Sequence, residues 1–321
     1  MGVPRVCTVT LNPTIDKVLE VLDFEVGGTF QALSTSRFPL GKGISVAAAL
    51  ATLGRPARVV ALVGEGDAEA YGEFLDERDL DHHLVTFPGH GRSNTTVVDP
   101  ARHTVTHVRE LGPKLDEGRL DPVVEALDRL LSPGDWLALS GSLPPGLPVT
   151  AYRELTARYE GRGVNVALDS SGLPLQLGVE EKPALLKPNL EELAELLGVE
   201  AVEPPECLGD ALGLVQPLLV GGVAVVALTM GAAGAVVASV NRACWAKVEI
   251  DRSRVLSTVG CGDAFLAGFL HGWISTRDLV EATRVAVAAG AANAFQLGAG
   301  VFRRADFDAL LGRVAVVDEV P

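Results

Sequence analysis

Aromatic residues are few, at 5% of 321 positions. Hydrophobic residues nonetheless reach 48%, enough to bury the core of one large α/β domain or of two. Basic residues are also short: 27 Lys and Arg face 41 Asp and Glu, for a net charge of −14. Nucleic acid and anionic membranes need a basic face, so neither is expected as a partner. A phosphate-bearing ligand must then be drawn by a few local cations rather than by the field of the whole molecule. The four cysteines, Cys7, Cys207, Cys244 and Cys261, are scattered without C-x-x-C spacing. That argues against a zinc site or a disulfide framework and fits a reducing cytoplasm. No unbroken apolar run approaches the ~20 residues that span a bilayer. Met1 to Arg5 carries no basic, apolar, small-residue series, so no leader is expected. Two phosphate-binding signatures are missing too, the G-x-x-x-x-G-K-[ST] loop and the H-R-D set of protein kinases. No G-x-G-x-x-G follows the first strand, which disfavours a dinucleotide-dependent oxidoreductase.

What is present centres on Ser257 to Leu270, S-T-V-G-C-G-D-A-F-L-A-G-F-L. Gly260-Cys261-Gly262 reads as a glycine turn feeding a helix N-terminus. Glycines there allow close backbone approach, and the unpaired N–H groups of the first helical turn favour an anion such as a phosphoryl group. Asp263 then reads either as a cap or dipole partner, or as a base that accepts a proton from an attacking hydroxyl.

Along the chain, strand-like and helix-like segments alternate. Strands are expected at Arg5–Leu11, Arg58–Val63, Trp136–Ser140, Val164–Leu168 and Val223–Thr229. Helices are expected over Pro39–Leu53, Leu120–Leu131, Val149–Tyr159, onward from Asp263 to about Trp273, and over Thr283–Leu297. That alternation implies an α/β fold, a doubly wound and mostly parallel sheet with helices on both faces, whose ligands sit beyond the strand C-termini. Lys17–Phe38 and a hairpin at Arg92–Glu110 look like strands lying off this sheet.

T-V-G-C-G-D-A resembles the T-V-G-A-G-D-S/A signature of the phosphofructokinase-B, or ribokinase-like, carbohydrate kinases. N-P-T-I-D at Asn12–Asp16, G-K-G-I-S-V-A at Gly41–Ala47, S-G-S-L-P-P-G at Ser140–Gly146, K-P-N-L-E-E at Lys187–Glu192 and T-M-G-A-A-G-A at Thr229–Ala235 follow the family in order. S-G-S-L-P-P-G and Glu110-Leu111-Gly112-Pro113 are similar to the 1-phosphofructokinase and tagatose-6-phosphate kinase branch. The resemblance runs from Asn12 to about Gly300.

It implies a ribokinase-like core over 1–16, 39–90 and 112–321, with 17–38 and 91–111 forming a β lid over the sugar and a homodimer surface. By resemblance Asp263 is the catalytic base, and Gly260, Cys261 and Gly262 supply the anion hole. Asp16, Gly41, Lys42, Gly43, Ser45, Arg92 and Ser142 would contact a phosphosugar. Lys187, Thr229, Gly231, Gly234 and Asn293 would line the ATP site, Asn293 against the adenine. Asn189 and Glu192 would organise Mg²⁺ through water, with Asp169 a weaker candidate. The bare residues leave other readings open: Asp16 as a turn former, Arg92 as a solvated strand end, Asn189 as a helix cap, and Asn293 as helix packing.

Leu40, Ser45 and Cys261 depart from the family pattern, standing where it has Gly, Asn and Ala or Gly. The implied reaction is transfer of the ATP γ-phosphoryl group to a ketose phosphate. Fructose 1-phosphate is favoured, with tagatose 6-phosphate and fructose 6-phosphate next, and Ser45 leaves room for an unphosphorylated sugar or a nucleoside. A non-catalytic sugar-phosphate sensor is the alternative from another class. Intact Asp263, Lys187, Asn189 and Glu192 argue against it. Cys261 also offers a handle for oxidation or alkylation.

Overall fold

The computed structural model describes residues 3–296 and 298–319. A ten-stranded sheet forms its centre, built from β1 (Val6–Thr10), β4 (Ala57–Gly64), β5 (Asp81–Phe87), β8 (Trp136–Ser140), β9 (Asn165–Asp169), β10 (Leu185–Leu186), β11 (Val225–Thr229), β12 (Ala235–Ala238), β13 (Ala243–Lys247) and β14 (Ala315–Glu319). Their order is β14-β13-β12-β11-β10-β9-β8-β1-β4-β5. From β11 to β5 every pairing is parallel. Strands covered on both faces should be buried along their whole length, and β1 is: all five residues of V-C-T-V-T are buried, Thr8 and Thr10 included.

Ten helices flank the sheet among the described residues: α1 (Lys42–Thr52), α2 (Ala68–Asp76), α3 (Asp121–Leu130), α4 (Ala151–Glu160), α5 (Gly172–Val179), α6 (Leu190–Leu197), α7 (Leu208–Val220), α8 (Cys261–Thr276), α9 (Leu279–Asn293) and α10 (Arg304–Leu311). Alternate strand residues feed two cores. Val59, Ala61 and Val63 join α1, α2 and α8–α10 on one face, while Val60 and Leu62 join α3, α4, α6 and α7 on the other. The α8–α9 seam is close because Gly268 and Gly272 carry no side chain. A Cβ on either would lie 2.8 or 2.7 Å from the Cα of Ala286 or Ala282.

A second sheet has the order β3-β2-β6-β7, from β2 (Thr14–Glu20), β3 (Ser34–Leu40), β6 (Arg92–Asp99) and β7 (Thr104–Val108). Its strands take in residues 14–16 and 39–40, which the sequence reading assigned to the core. At the far edge of the large sheet, β12, β13 and β14 run antiparallel, an edge that the sequence reading did not include. The helix expected to end at Leu297 ends at Asn293, and Leu297 itself lies outside the described residues.

Candidate active site

The chain leaves β1 for β4 on one side of the sheet, while β8 lies on the other, so the winding direction changes between β1 and β8. The crevice at the carboxyl ends of the strands there is where a doubly wound sheet binds ligands. Asn12, Ser142, Asp169, Lys187 and Thr229 all stand at or just past such ends. Gly41 and Gly43 let the start of α1 press against β1. A Cβ on Gly43 would fall 2.6 Å from both Thr10 Oγ1 and the Val9 carbonyl, and the Ile44 N–H donates to Thr10 Oγ1 at 3.1 Å.

Lys42, carried in by that contact, meets Lys187 on one carboxylate. The ammonium of Lys42 lies 3.1 Å and that of Lys187 3.2 Å from Oδ1 of Asp169, which is fully buried. Burial opposes ionisation of Asp169, yet the two ammoniums overcome it and hold the carboxyl below its usual range. Burial likewise disfavours charge on Lys42, but Asp169, Asp263 and Glu192 keep it protonated well above the ordinary lysine value. The other oxygen, Asp169 Oδ2, is buried without a hydrogen-bond partner among the described residues. Lys42 was expected against the sugar; here its partner is a carboxylate.

Asp263 lies in the same cluster, 6% exposed in the first turn of α8. Burial pushes its carboxyl up to about 7; Lys42 and Lys187 oppose that rise, and Asp169 and Glu192 add to it. Such a value is suited to a general base near neutral pH. Gly260 adopts the left-handed conformation at φ +81°, and a Cβ there would strike Ala299 Cα at 2.4 Å. The turn therefore requires glycine for both reasons. The N–H of Cys261 bonds the Thr258 carbonyl at 3.3 Å, and that of Ala264 the Gly260 carbonyl at 2.9 Å. Those of Gly260, Gly262 and Asp263 have no acceptor among the described residues, and the Lys187 ammonium lies 3.4 Å from where a Gly262 Cβ would be. The N–H groups of Gly260, Gly262 and Asp263 are thus free in this turn beside the Lys187 ammonium, and the Cys261 N–H is turned to its own loop.

The Cys261 thiol is pushed up to about 11 by burial, the opposite of a reactive thiolate. Cys207 is exposed, and Cys7 and Cys244 are buried. Brief iodoacetamide treatment of the native protein at pH 7.5 should therefore mark Cys207 first, with Cys261 labelled more than ~10-fold slower by peptide mass spectrometry, the thiolate being the reacting form. Equal labelling of the two would overturn this reading.

Asn189 and Glu192 form a complete capping box at the start of α6. The Glu192 N–H donates to Asn189 Oδ1 at 2.8 Å, and the Asn189 N–H to Glu192 Oε2 at 2.9 Å. The Glu192 carboxyl is raised by burial and by Asp169. No group of three or more His, Cys, Asp or Glu is arranged to hold a metal among the described residues. A divalent ion would instead be held by Asp169 Oδ2 and Glu192 with water and substrate phosphate, as suits magnesium.

On the small sheet, Asp16 pairs with Asn94 and Thr14 with Arg92 across β2 and β6. Asp16 Oδ1 accepts from Thr14 Oγ1 at 3.1 Å and Asn94 Nδ2 at 3.0 Å; burial nonetheless leaves its carboxyl raised. The sequence reading set Asp16 in a turn, and the structure sets it within β2. Arg92 is held by Nε on the Asn12 carbonyl at 3.1 Å and by Nη1 on the Glu110 carbonyl at 3.5 Å. Its Nη2 has no partner among the described residues, and Arg109 is close enough to be felt by both Arg92 and Asp16. Sequence reasoning missed Arg109, whose only signal was its place beside Glu110 at the hairpin's close. Ser142 is exposed, and its Oγ accepts from Asn12 Nδ2 at 3.2 Å.

Two of the expected contact residues are buried. Ser45 is 1% exposed, and its backbone lies against Gly300, where a Cβ would fall 2.1 Å from the Ser45 carbonyl oxygen. Asn293 is completely buried and donates to the Val259 carbonyl at 2.9 Å. Of the other residues expected around ATP, Thr229 bonds the Pro188 carbonyl at 2.9 Å through its N–H. Gly234, at φ +88°, makes the turn into β12, where a Cβ would lie 2.1 Å from the Ala246 carbonyl oxygen; Gly231 is exposed.

A doubly wound sheet whose switch point carries a free N–H turn, a buried aspartate and two lysines, without a P-loop, has the architecture of a phosphotransferase of the anion-hole type. The model of the pfkB family carbohydrate kinases matches residues 9–304, and the chain belongs to that family. The 1-phosphofructokinase of Rhodobacter capsulatus is 35% identical over 297 residues, covering 92% of this chain and 90% of that one. The 1-phosphofructokinase of Bacillus subtilis (strain 168) is 31% identical over 288 residues, covering 90% and 92%. The solved structure of Escherichia coli phosphofructokinase-2 in complex with potassium is similar with a TM-score of 0.89 at 25% identity, over 96% of this chain and 98% of that one.

Proposed function

We propose that this protein transfers the γ-phosphoryl group of ATP to a primary hydroxyl of fructose 1-phosphate, giving fructose 1,6-bisphosphate. The observation that carries the reading is Asp263, a buried carboxyl raised to about 7 in the first turn of a helix whose leading N–H groups are free. As a base it takes the proton of the acceptor hydroxyl. The N–H groups of Gly260, Gly262 and Asp263, with the Lys187 ammonium, stabilise charge on the transferring group. Magnesium arriving with ATP would neutralise charge between its phosphates, held by Asp169, Asn189 and Glu192 through water. Once Asp263 and Glu192 are ionised, the three carboxylates Asp169, Asp263 and Glu192 against the two ammoniums Lys42 and Lys187 leave an excess negative charge for such a cation.

The similarity to 1-phosphofructokinases supports fructose 1-phosphate as acceptor. So does the free Nη2 of Arg92 near Arg109, a charged donor for a phosphate already on the sugar. Arg92→Ala should raise KM for fructose 1-phosphate by ~10-fold or more, the loss of one charged hydrogen bond. Slow turnover of unphosphorylated fructose should stay as it was. Parallel loss on both sugars would count against a phosphate role. The small sheet acts as a lid and as the surface of a homodimer, consistent with Val105 and Val108 on its edge strand at 53% and 59% exposure. The composition fits a cytoplasmic setting, and no helix is long and apolar enough to cross a membrane among the described residues.

A further inference from the structure

Asn293 is the last residue of α9 and is completely buried, yet it lies on the loop that leads into the anion turn. Its Nδ2 donates to the Val259 carbonyl at 2.9 Å and comes within 3.9 Å of Cys261 Sγ. The next carbonyl along, that of Ala294, accepts from both the Leu256 N–H at 2.9 Å and the Ser257 N–H at 3.3 Å. The end of α9 therefore holds residues 256–259 by three hydrogen bonds. Only one of them comes from a side chain, and it falls on the peptide that joins Val259 to Gly260.

That peptide matters because its two ends point opposite ways. The unit is planar and trans, so a fixed Val259 carbonyl fixes the Gly260 N–H in the reverse direction, away from the buried amide. The Gly260 N–H has no acceptor among the described residues. Glycine in a left-handed conformation is also the residue at which such a peptide rotates most freely, so without a restraint this N–H would not keep one direction. Asn293 Oδ1 meanwhile is buried with no partner among the described residues. An apolar side chain of similar size would avoid that unsatisfied oxygen, so packing alone gives no reason for an amide here.

We infer that Asn293 is a positioning residue for phosphoryl transfer: its amide locks the Val259–Gly260 peptide so that the Gly260 N–H is held as a donor of the anion turn. The inference rests on the kinase reading for its effect on rate, but the restraint itself can be observed without turnover. Two variants separate positioning from packing. Asn293→Leu keeps the volume and removes the donor, and Asn293→Ser keeps a donor in a smaller side chain. In Asn293→Leu, kcat should fall ~10- to 100-fold with KM for the phosphosugar within about twofold and thermal unfolding preserved, in line with loss of a donor acting on the transition state. Asn293→Ser should recover part of that loss. Independently of activity, the ¹⁵N-labelled Gly260 amide should give one sharp resonance in the native chain and broaden or split in Asn293→Leu. Native kcat together with an unaltered Gly260 resonance in Asn293→Leu would overturn the inference. A wild-type protein without turnover, whose Gly260 resonance still responds to Asn293→Leu, would uphold the restraint and refute the kinase reading.

Discussion

Asp263→Asn is expected to lower kcat by ~10²–10⁴-fold, the usual contribution of a general base, while leaving ADP and ATP affinity close to wild type. The same substitution should make the folded protein more stable at pH 8. In the unfolded chain this carboxyl ionises near 3.8, and in the folded protein near 7. Between those values the folded state holds a proton that the unfolded state has released, so wild-type stability declines as pH rises through that window and levels off above 7. Three pKa units correspond to at most ~4 kcal/mol. Asparagine does not titrate, so the Tm of the variant should exceed that of wild type at pH 8, and the margin should shrink steadily as the pH falls from 7 towards the unfolded value of 3.8. For the same reason wild-type kcat/KM should rise with pH to a midpoint near 7. Full activity in Asp263→Asn, or a variant less stable than wild type at pH 8, would refute the assignment.

The second large effect lies at Asp169. Its carboxylate is the shared partner of Lys42 and Lys187, and Lys187 is 4% exposed. Asp169→Ala strands a buried ammonium, a loss of about 3–5 kcal/mol, and should lower Tm by many degrees. Because the folded carboxyl sits below its usual range, the stability it contributes is present above its unfolded value and is lost as the protein is acidified below that. The difference between wild type and Asp169→Ala should therefore shrink in acid. Asp169→Asn, which keeps an acceptor, is the milder probe. Removing one negative charge beside Asp263 should move the pH midpoint of kcat/KM below that of wild type. A midpoint that stays put or rises would show that Asp169 and Asp263 do not share a site.

Local signals made much of this legible in the sequence. The glycine turn, Asp263 and the helix behind it stand in one stretch, and the structure forms α8 from Cys261 to Thr276. Of the parallel strands, β1, β4, β8, β9 and β11 were readable from their apolar runs and from the helices between them, while the two-residue β10 was not. β12 and β13 were not, because A-V-V-A and A-C-W-A-K are short and are defined by antiparallel pairing with β11, with each other and with β14. β14 is an exposed edge whose residues carry no core pattern. In the site, sequence order could place Lys42 and Lys187 in separate motifs but not on one oxygen of Asp169, since 127 residues of chain separate Lys42 from that carboxylate. The surroundings of Asn293 were hidden for a similar reason. Its position in an Ala-rich helix suggested either packing or a nucleotide contact, and only the tertiary fold puts its amide on a loop carbonyl 34 residues upstream. Ser45 sits in the first turn of α1, and only the fold brings the Gly300 backbone, far along the chain, against its own.

The most direct measurement is ADP release by the purified protein with Mg·ATP and a panel of fructose 1-phosphate, fructose 6-phosphate, tagatose 6-phosphate, fructose, ribose and adenosine. Turnover concentrated on fructose 1-phosphate, with the other phosphoketoses well behind, is the result expected. Silence across the panel while sugar phosphates still raise the Tm would contradict it and describe a sensor built on a kinase fold, and turnover concentrated on an unphosphorylated acceptor would contradict the role given to Arg92.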